Sequence, residues 1–256
     1  MDLSLVIPIY NGASYAAESA HLVHSYIQTL PSLSYEIIFV DDGSRDNTSA
    51  AIERLNLPHV QVITLPTNQG KFGAIKAGMS AARGRCRIFT DADIPYELEA
   101  IPYIYNVVAN RQVHVVVGDR NLLGSEYGEK LSFTRSIVTH IFTFFVRSLV
   151  TAGLFDTQCG LKGFRGDVAD ALFPMLRERG FAGDVELLYV CLKHNLEIKR
   201  IPVRLRRSAP STVRVVRDGL RMICRISRLR SSWKRGFYGS ESISRIADQT
   251  YWSESA

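Results

Sequence analysis

Two apolar runs in this chain end in paired acids: Ile37-Ile38-Phe39-Val40-Asp41-Asp42-Gly43-Ser44 and Cys86-Arg87-Ile88-Phe89-Thr90-Asp91-Ala92-Asp93. Carboxylates so placed hold a hard divalent cation, accept hydrogen bonds from sugar hydroxyls, or move protons. Asp91 and Asp93 stand one residue apart, so a turn after a strand can aim both at one ion that also takes oxygens from a substrate diphosphate. That makes Asp93 and Asp91 the metal candidates. Mg²⁺ or Mn²⁺ is the matching cation, suited to neutralising a diphosphate leaving group. The same three residues also read as an ordinary turn with two solvated acids. Asp41 and Asp42 could select a nucleoside, or could close an Asp-Gly turn. In Asn68-Gln69-Gly70-Lys71-Phe72-Gly73 the glycines permit close backbone approach where a helix begins. A helix N-terminus and the Lys71 charge both favour an anion there, and a plain loop with a cap is the alternative.

These residues need a scaffold that gathers strand ends. Strand-like runs over 3–9, 35–40, 60–65, 87–90 and 113–118 alternate with helical patterns over 14–30, 48–55, 72–82 and 97–110. Asp46 or Asn47 is placed to cap the second helix. That alternation predicts an α/β fold with a mostly parallel sheet flanked by helices, whose C-terminal edge carries the acids and is where ligands bind. After Gly118 the alternation lapses. The stretch 119–130 reads as a loop, 133–150 as a strongly apolar helix, and 156–165 as a motif-bearing segment. Helices follow at 168–179 and 185–194, then a strand at 197–203 and a basic helix at 213–230. The expected organisation is a catalytic domain over 1–203, a basic amphipathic extension over 204–235 and a flexible tail over 236–256.

Bulk properties narrow the classes. With 256 residues, 46% hydrophobic and 22% charged, the chain can bury a sizeable core and is not a disordered protein. Its four cysteines form no CxxC pair, which argues against a zinc site or redox dithiol and for a reducing, cytosolic setting. No basic region precedes a long apolar stretch at the N-terminus, so no signal peptide is expected. The apolar run 136–150 contains Arg147 and falls short of the roughly 20 residues that span a bilayer.

The net charge of +6 conceals one strongly basic segment: between Arg204 and Arg235 there are eleven basic residues and one acid, Asp218. Arg214, Arg217, Arg221, Arg225 and Arg228 recur at helical spacing, with Val216, Leu220 and Ile223 on another face and Trp233 beyond. A basic amphipathic helix of this kind fits an anionic membrane surface, here the cytoplasmic face. No zinc pattern or aromatic RNA motif accompanies it, so nucleic acid is not the expected partner.

Taken together, the segments Leu5-Val6-Ile7-Pro8-Ile9-Tyr10-Asn11, Val40-Asp41-Asp42-Gly43-Ser44, Asn68-Gln69-Gly70-Lys71 and Asp91-Ala92-Asp93 resemble the family 2 inverting glycosyltransferases of GT-A fold. Gly118-Asp119-Arg120-Asn121, Asp156-Thr157-Gln158-Cys159-Gly160-Leu161-Lys162-Gly163-Phe164 and Gly183-Asp184-Val185-Glu186-Leu187-Leu188 narrow the likeness to the dolichyl-phosphate β-glucosyltransferase and bacterial polyprenyl-phosphate branch. The resemblance implies a GT-A-type, Rossmann-like sheet. It also implies transfer of a hexose, UDP-glucose being the favoured nucleotide-sugar donor, to a polyprenyl-phosphate acceptor (dolichyl or undecaprenyl) at the membrane. GDP-mannose as donor, a hydroxyl as acceptor, or a non-catalytic nucleotide-sugar-binding protein are the alternatives.

Carried over by position, Asp41 and Asp42 hold the nucleoside, and Pro8, Tyr10, Asn11 and Lys71 belong to the substrate-binding set. Asp91 reaches the sugar or ribose, Asp93 binds the metal, and Gln158 lines the sugar site. Asp184 and Glu186 lie near the transferred sugar and acceptor, Asp184 being the general base if the acceptor is a hydroxyl. Arg120 and Arg135 clamp the acceptor phosphate, and the apolar helix with Phe142, Phe144 and Phe145 holds the prenyl chain or packs in the core. Simpler roles stay open: Arg135 snorkelling, Glu186 in an internal ion pair, Gln158 capping a turn. Ile94-Pro95-Tyr96 after the acid pair departs from the pattern of relatives, in one branch of which a metal-binding glutamine stands where this chain has Pro95.

Overall fold

The apolar runs form the strands of one sheet in a computed structural model that describes residues 1–110, 112–125, 156–180, 182–206 and 228–248. Its strands are β1 (Leu3–Ile9), β2 (Tyr35–Asp41), β3 (Val60–Thr64), β4 (Cys86–Phe89), β5 (Val115–Asp119), β6 (Lys162–Arg165) and β7 (Ile198–Pro202). Between them lie α1 (Ala16–Gln28), α2 (Thr48–Glu53), α3 (Lys71–Ala81), α4 (Ala100–Ala109), α5 (Gly166–Leu172) and α6 (Ala182–Lys193), with α7 (Glu241–Asp248) near the C-terminus. The strand order is β3-β2-β1-β4-β6-β5-β7.

β1 is buried along its whole length because both faces of the sheet are covered, which is why it reads as an unbroken apolar run. Its side chains still alternate. Val6 packs with Phe72 of α3 and Leu188 of α6 on one side, and Leu5 and Ile7 pack with Ala20 of α1 and Ile104 of α4 on the other. β1 pairs in parallel with β2 and with β4, so the chain reverses its direction of winding between β1 and β4. Such a switch point opens a crevice at the C-terminal ends of the strands. The segments that leave β1, β2 and β4 there carry Tyr10 and Asn11, Asp42, and Asp91 and Asp93 respectively.

Three elements differ from the sequence-based expectation. The segment 156–165 contains a central strand: β6 runs antiparallel between β4 and β5. The helix expected at 168–179 stops at Leu172, gives one 3₁₀ turn over Phe173–Met175 and continues without helix through 176–179. Pro174 has no N–H to continue the helical ladder. Within the tail expected to be loose, Tyr238 is 1% exposed, Ile243 is fully buried, and α7 packs against the core. His194 Nε2 lies 2.8 Å from the Tyr238 carbonyl and His114 Nε2 lies 3.2 Å from that of Ile246. Trp233 is half-buried, packs edge-on to Tyr189 and His194 and stacks on Tyr238.

Residues 228–234 are helical and Leu229 is buried. The apolar helix expected at 133–150, and the basic stripe except Arg228, lie outside the described residues. Among the described residues no helix is long and apolar enough to cross a membrane.

Phe164 anchors β6 from both sides, stacked on Phe89 at 5.9 Å and edge-on to Phe173 at 5.2 Å between ring centroids. Phe164→Ala is therefore expected to lower unfolding free energy by about 3–5 kcal/mol, measured by urea denaturation; a loss below 1 kcal/mol would mean that β6 is not anchored this way.

Candidate active site

The strand ends are tied together through three consecutive residues. Asp42 accepts the backbone N–H groups of Gln69 at 2.7 Å and Gly70 at 2.8 Å, one on each carboxylate oxygen. The next residue, Lys71, forms an ion pair with Asp91. The loop before α3 thus bridges the acids that follow β2 and β4. Asp41 accepts from the Ser44 amide at 2.9 Å and from the Ser49 hydroxyl, so it organises its own turn. Asn11 sits at φ +49° after β1, its amide donating to Ser44 Oγ and its side-chain carbonyl accepting from the Arg45 amide. Pro8 is buried in β1, and Tyr10 is exposed at the strand end.

The start of α3 is not a free anion site. Its first-turn amides, Phe72 and Gly73, donate to the Arg179 carbonyl at 2.9 and 3.1 Å. For an anion the loop thus offers the Lys71 ammonium, the Phe72 and Gly73 amides being already taken. Burial works against the charge of Lys71, but Asp91 and Asp184 outweigh it and raise its pKa above the usual lysine value.

Asp93 shows the opposite balance. Burial and the neighbouring charge of Asp91 lift its carboxyl above the ordinary carboxylate pKa, with Lys71 offsetting only part of this. Among the described residues no group of three or more histidine, cysteine or acidic side chains is placed to hold a metal ion by itself. A hard cation that keeps waters and draws ligands from substrate phosphates needs only one or two carboxylates. Asp93 and Asp91 are two such carboxylates, and the electrostatic cost of bringing them together is what such a cation would relieve. The donor set fits Mg²⁺ or Mn²⁺.

Gly160 explains how Asp91 is held. A Cβ there would collide with the Asp91 carboxylate, so only glycine lets the segment after Cys159 lie against it. The Gly160 amide donates to Tyr96 Oη at 3.2 Å, and Tyr96 bridges through its backbone to Leu205. The Ile94-Pro95-Tyr96 departure thus braces the acid pair, with Ile94 at φ +45° in the turn.

Asp184 is buried in the first turn of α6, and its Oδ1 accepts from Lys162 Nζ at 2.6 Å. Lys162 is fully buried on β6. It also donates to the Cys159 carbonyl at 2.6 Å and lies 5.4 Å above the Phe89 ring. Gly183, just before Asp184, faces the Phe72 ring so closely that a Cβ would overlap it, and this packs the starts of α3 and α6 together.

The remaining candidates are distributed differently. Arg120 makes a two-pronged pair with Asp156, Nε to Oδ2 at 2.7 Å and Nη2 to Oδ1 at 2.8 Å, so that edge of its fork is engaged within the protein. Burial disfavours ionised Asp156, but the hydrogen bonds and charge of Arg120 prevail and hold its carboxyl below the usual range. The Gln158 amide donates to Asp156 Oδ1 at 3.2 Å, which makes 156–158 a local turn. Glu186 is fully buried and accepts two backbone amides and the Tyr238 hydroxyl, a structural position away from solvent. Arg135 lies outside the described residues. Lys162, Asp156 and Tyr96 were not singled out from the sequence. A lysine within an otherwise apolar Gly-Leu-Lys-Gly-Phe run is the one signal that could have marked Lys162, because a buried lysine needs a carboxylate partner.

Comparison with known proteins agrees with this geometry. The Glycosyl transferase family 2 profile matches residues 4–173. A dolichyl-phosphate beta-glucosyltransferase of Dictyostelium discoideum is 31% identical over 92% of this chain and 76% of its own length. That of Drosophila melanogaster is 33% identical over 80% of this chain and 67% of its length. Glucosyl-3-phosphoglycerate synthase of Mycobacterium tuberculosis, crystallised with Mn²⁺, uridine-diphosphate and glucosyl-3-phosphoglycerate, superposes with a TM-score of 0.64 at 17% identity, covering 90% of this chain and 79% of that one. Mannosyl-3-phosphoglycerate synthase of Rubrobacter xylanophilus gives 0.66 at 18% identity, covering 92% and 75%. Likeness at this identity establishes the fold.

Two measurements probe the site directly. Lys162→Met strands the buried Asp184 charge and is expected to cost about 3–5 kcal/mol of stability, whereas adding Asp184→Leu should recover much of that loss; a double variant as unstable as the single one would refute the pairing. For Asp93, a raised native pKa means the folded protein holds a proton the unfolded chain has released, so this residue costs stability at neutral pH. In EDTA, Asp93→Asn should be more stable than wild type near neutrality. The gap should close as pH falls through the raised value toward the ordinary carboxylate range, and a pH-independent gap would contradict it.

Proposed function

Since this chain belongs to glycosyl transferase family 2, a glycosyltransferase by family and by fold, we propose that it moves a glucosyl group from UDP-glucose to a polyprenyl phosphate, inverting the anomeric centre. The observation that carries this reading is the Gln69-Gly70-Lys71 bridge. It joins the strand-end acid Asp42 to the Asp91 and Asp93 pair, as a pocket for one nucleoside diphosphate requires. The names of the relatives, dolichyl-phosphate beta-glucosyltransferases, support the donor sugar and the lipid acceptor.

In this reading Asp42 and the β1 loop with Tyr10 and Asn11 bind the nucleoside side of the donor, and Lys71 offers its ammonium to the diphosphate. Asp93, with Asp91, would hold Mg²⁺ or Mn²⁺, which when bound supplies Lewis-acid neutralisation of the diphosphate. A phosphate acceptor is already anionic near neutral pH, so proton removal contributes little. The residues chiefly align the nucleophile with the anomeric carbon and exclude water. Asp184, anchored by Lys162, suits that orienting task. The acceptor phosphate calls for arginine charge, with Arg120 and Arg135 as the candidates. The basic stripe between Arg204 and Arg235 would hold the enzyme on an anionic membrane, on its cytoplasmic face.

A donor screen with a short polyprenyl phosphate and Mg²⁺ or Mn²⁺ tests the proposal, with lipid-linked glucose from UDP-glucose as the expected product. Turnover only with GDP-mannose, or only onto a hydroxyl acceptor, would overturn it. Asp93→Ala should lose roughly 100-fold or more of the activity at every metal concentration, and full activity in that variant would remove the metal role.

A further inference from the structure

The segment around Tyr238 is connected to the strand-end acids by hydrogen bonds joined through short stretches of backbone. Tyr238, 1% exposed, donates its hydroxyl to Glu186 Oε1 at 2.6 Å. The same carboxylate accepts the Arg177 amide, at 3.0 Å to Oε1 and 2.9 Å to Oε2, and the Glu178 amide at 2.8 Å to Oε2. Those amides belong to the segment 176–180, whose Arg179 carbonyl takes the Phe72 and Gly73 amides at 2.9 and 3.1 Å. Lys71, one residue earlier, pairs with Asp91. Two further struts hold the segment: Lys76 Nζ of α3 donates to the Leu176 carbonyl, and the Arg177 guanidinium sits 3.9 Å over the Phe237 ring. Gly70 completes the fit, because a Cβ there would stand 2.6 Å from the Arg179 oxygen.

Burying a carboxylate is unfavourable unless its oxygens are satisfied. At Glu186 every donor named is either a backbone group of 177–178 or the Tyr238 hydroxyl. The arrangement therefore spends a buried acid on fixing one backbone segment, and that segment in turn fixes the start of α3.

We propose that Tyr238 and Glu186 are positioning residues: together they brace segment 176–180, and through the Arg179 carbonyl they set where Lys71 stands relative to Asp91 and the donor diphosphate. The C-terminal segment is then part of the machinery of donor binding and not an appendage to it. The inference rests on reading the Lys71–Asp91 region as the nucleotide-diphosphate site.

The experiment compares full-length wild type, Tyr238→Phe and Ile243→Val. The last trims the same C-terminal packing at a fully buried residue that lies off the hydrogen-bonded path. Two quantities are read: hydrogen exchange at the amides of Arg177, Glu178, Phe72 and Gly73, and calorimetric binding of UDP in the presence of Mn²⁺. Loss of one buried hydrogen bond predicts that Tyr238→Phe speeds exchange at all four amides and weakens UDP binding by about five- to tenfold. Ile243→Val should change both by less than about twofold if the effect follows the path and not general stability. Unchanged exchange at Phe72 and Gly73 in Tyr238→Phe would overturn the brace. Equal shifts in Ile243→Val would reduce it to ordinary packing. Wild type that fails to bind UDP with Mn²⁺ would instead overturn the donor-site reading and the positioning role with it, whatever the exchange rates show.

Discussion

The constraint on which this molecule depends is the crowding of carboxylates at one edge of its sheet. Asp42, Asp91, Asp93, Asp156 and Asp184 all follow or face the C-terminal ends of the central strands, and like charges so gathered repel unless each is answered. Asp42 is answered by two amides, Asp91 by Lys71, Asp156 by Arg120 and Asp184 by Lys162. Asp93 has no ion pair among the described residues, and burial together with the adjacent Asp91 lifts its carboxyl; burial lifts Asp42 as well, in spite of its two amides. The surrounding loops can be understood as the means of delivering these partners.

That delivery explains several local features together. The loop before α3 must lie between β2 and β4, because its amides serve Asp42 and its lysine serves Asp91. Helices α3 and α6 must start side by side, because Phe72 rests on Gly183 and so brings Asp184 near Lys71. Strand β6 must carry a lysine into the core, because Asp184 lies beyond the reach of solvent. A buried pair of this kind adds little net stability after desolvation, and its value lies in fixing where a charge points.

The mainly parallel sheet and the position of its acids were legible in the sequence. Runs such as Leu3–Ile9 and Ile37–Val40 are long, β-branched and bounded, and their ends fall where the acids stand. The β6 strand was not legible, since Lys-Gly-Phe-Arg contains two charges and a glycine and has none of the marks of an internal strand. Nor was the end of α5, where Pro174 counts for more than the helical pattern around it, nor the packing of 236–248, where serines mask the spacing of Tyr238, Ile243 and Ile246. Family resemblance put Glu186 beside the sugar, whereas it lies at 0% exposure among backbone amides.

Composition and periodicity by themselves thus determined the strands other than β6, the edge at which the acids stand, and which residue types could do chemistry there, because hydrophobic pattern and turn preference act over a few residues. Tertiary structure alone decided which carboxylate meets which cation, that the Phe72 and Gly73 amides are closed by the Arg179 carbonyl, and that the Tyr238 hydroxyl closes on Glu186. Those outcomes depend on contacts between residues distant along the chain, and the energy of a buried charge is set by the neighbour that folding brings to it.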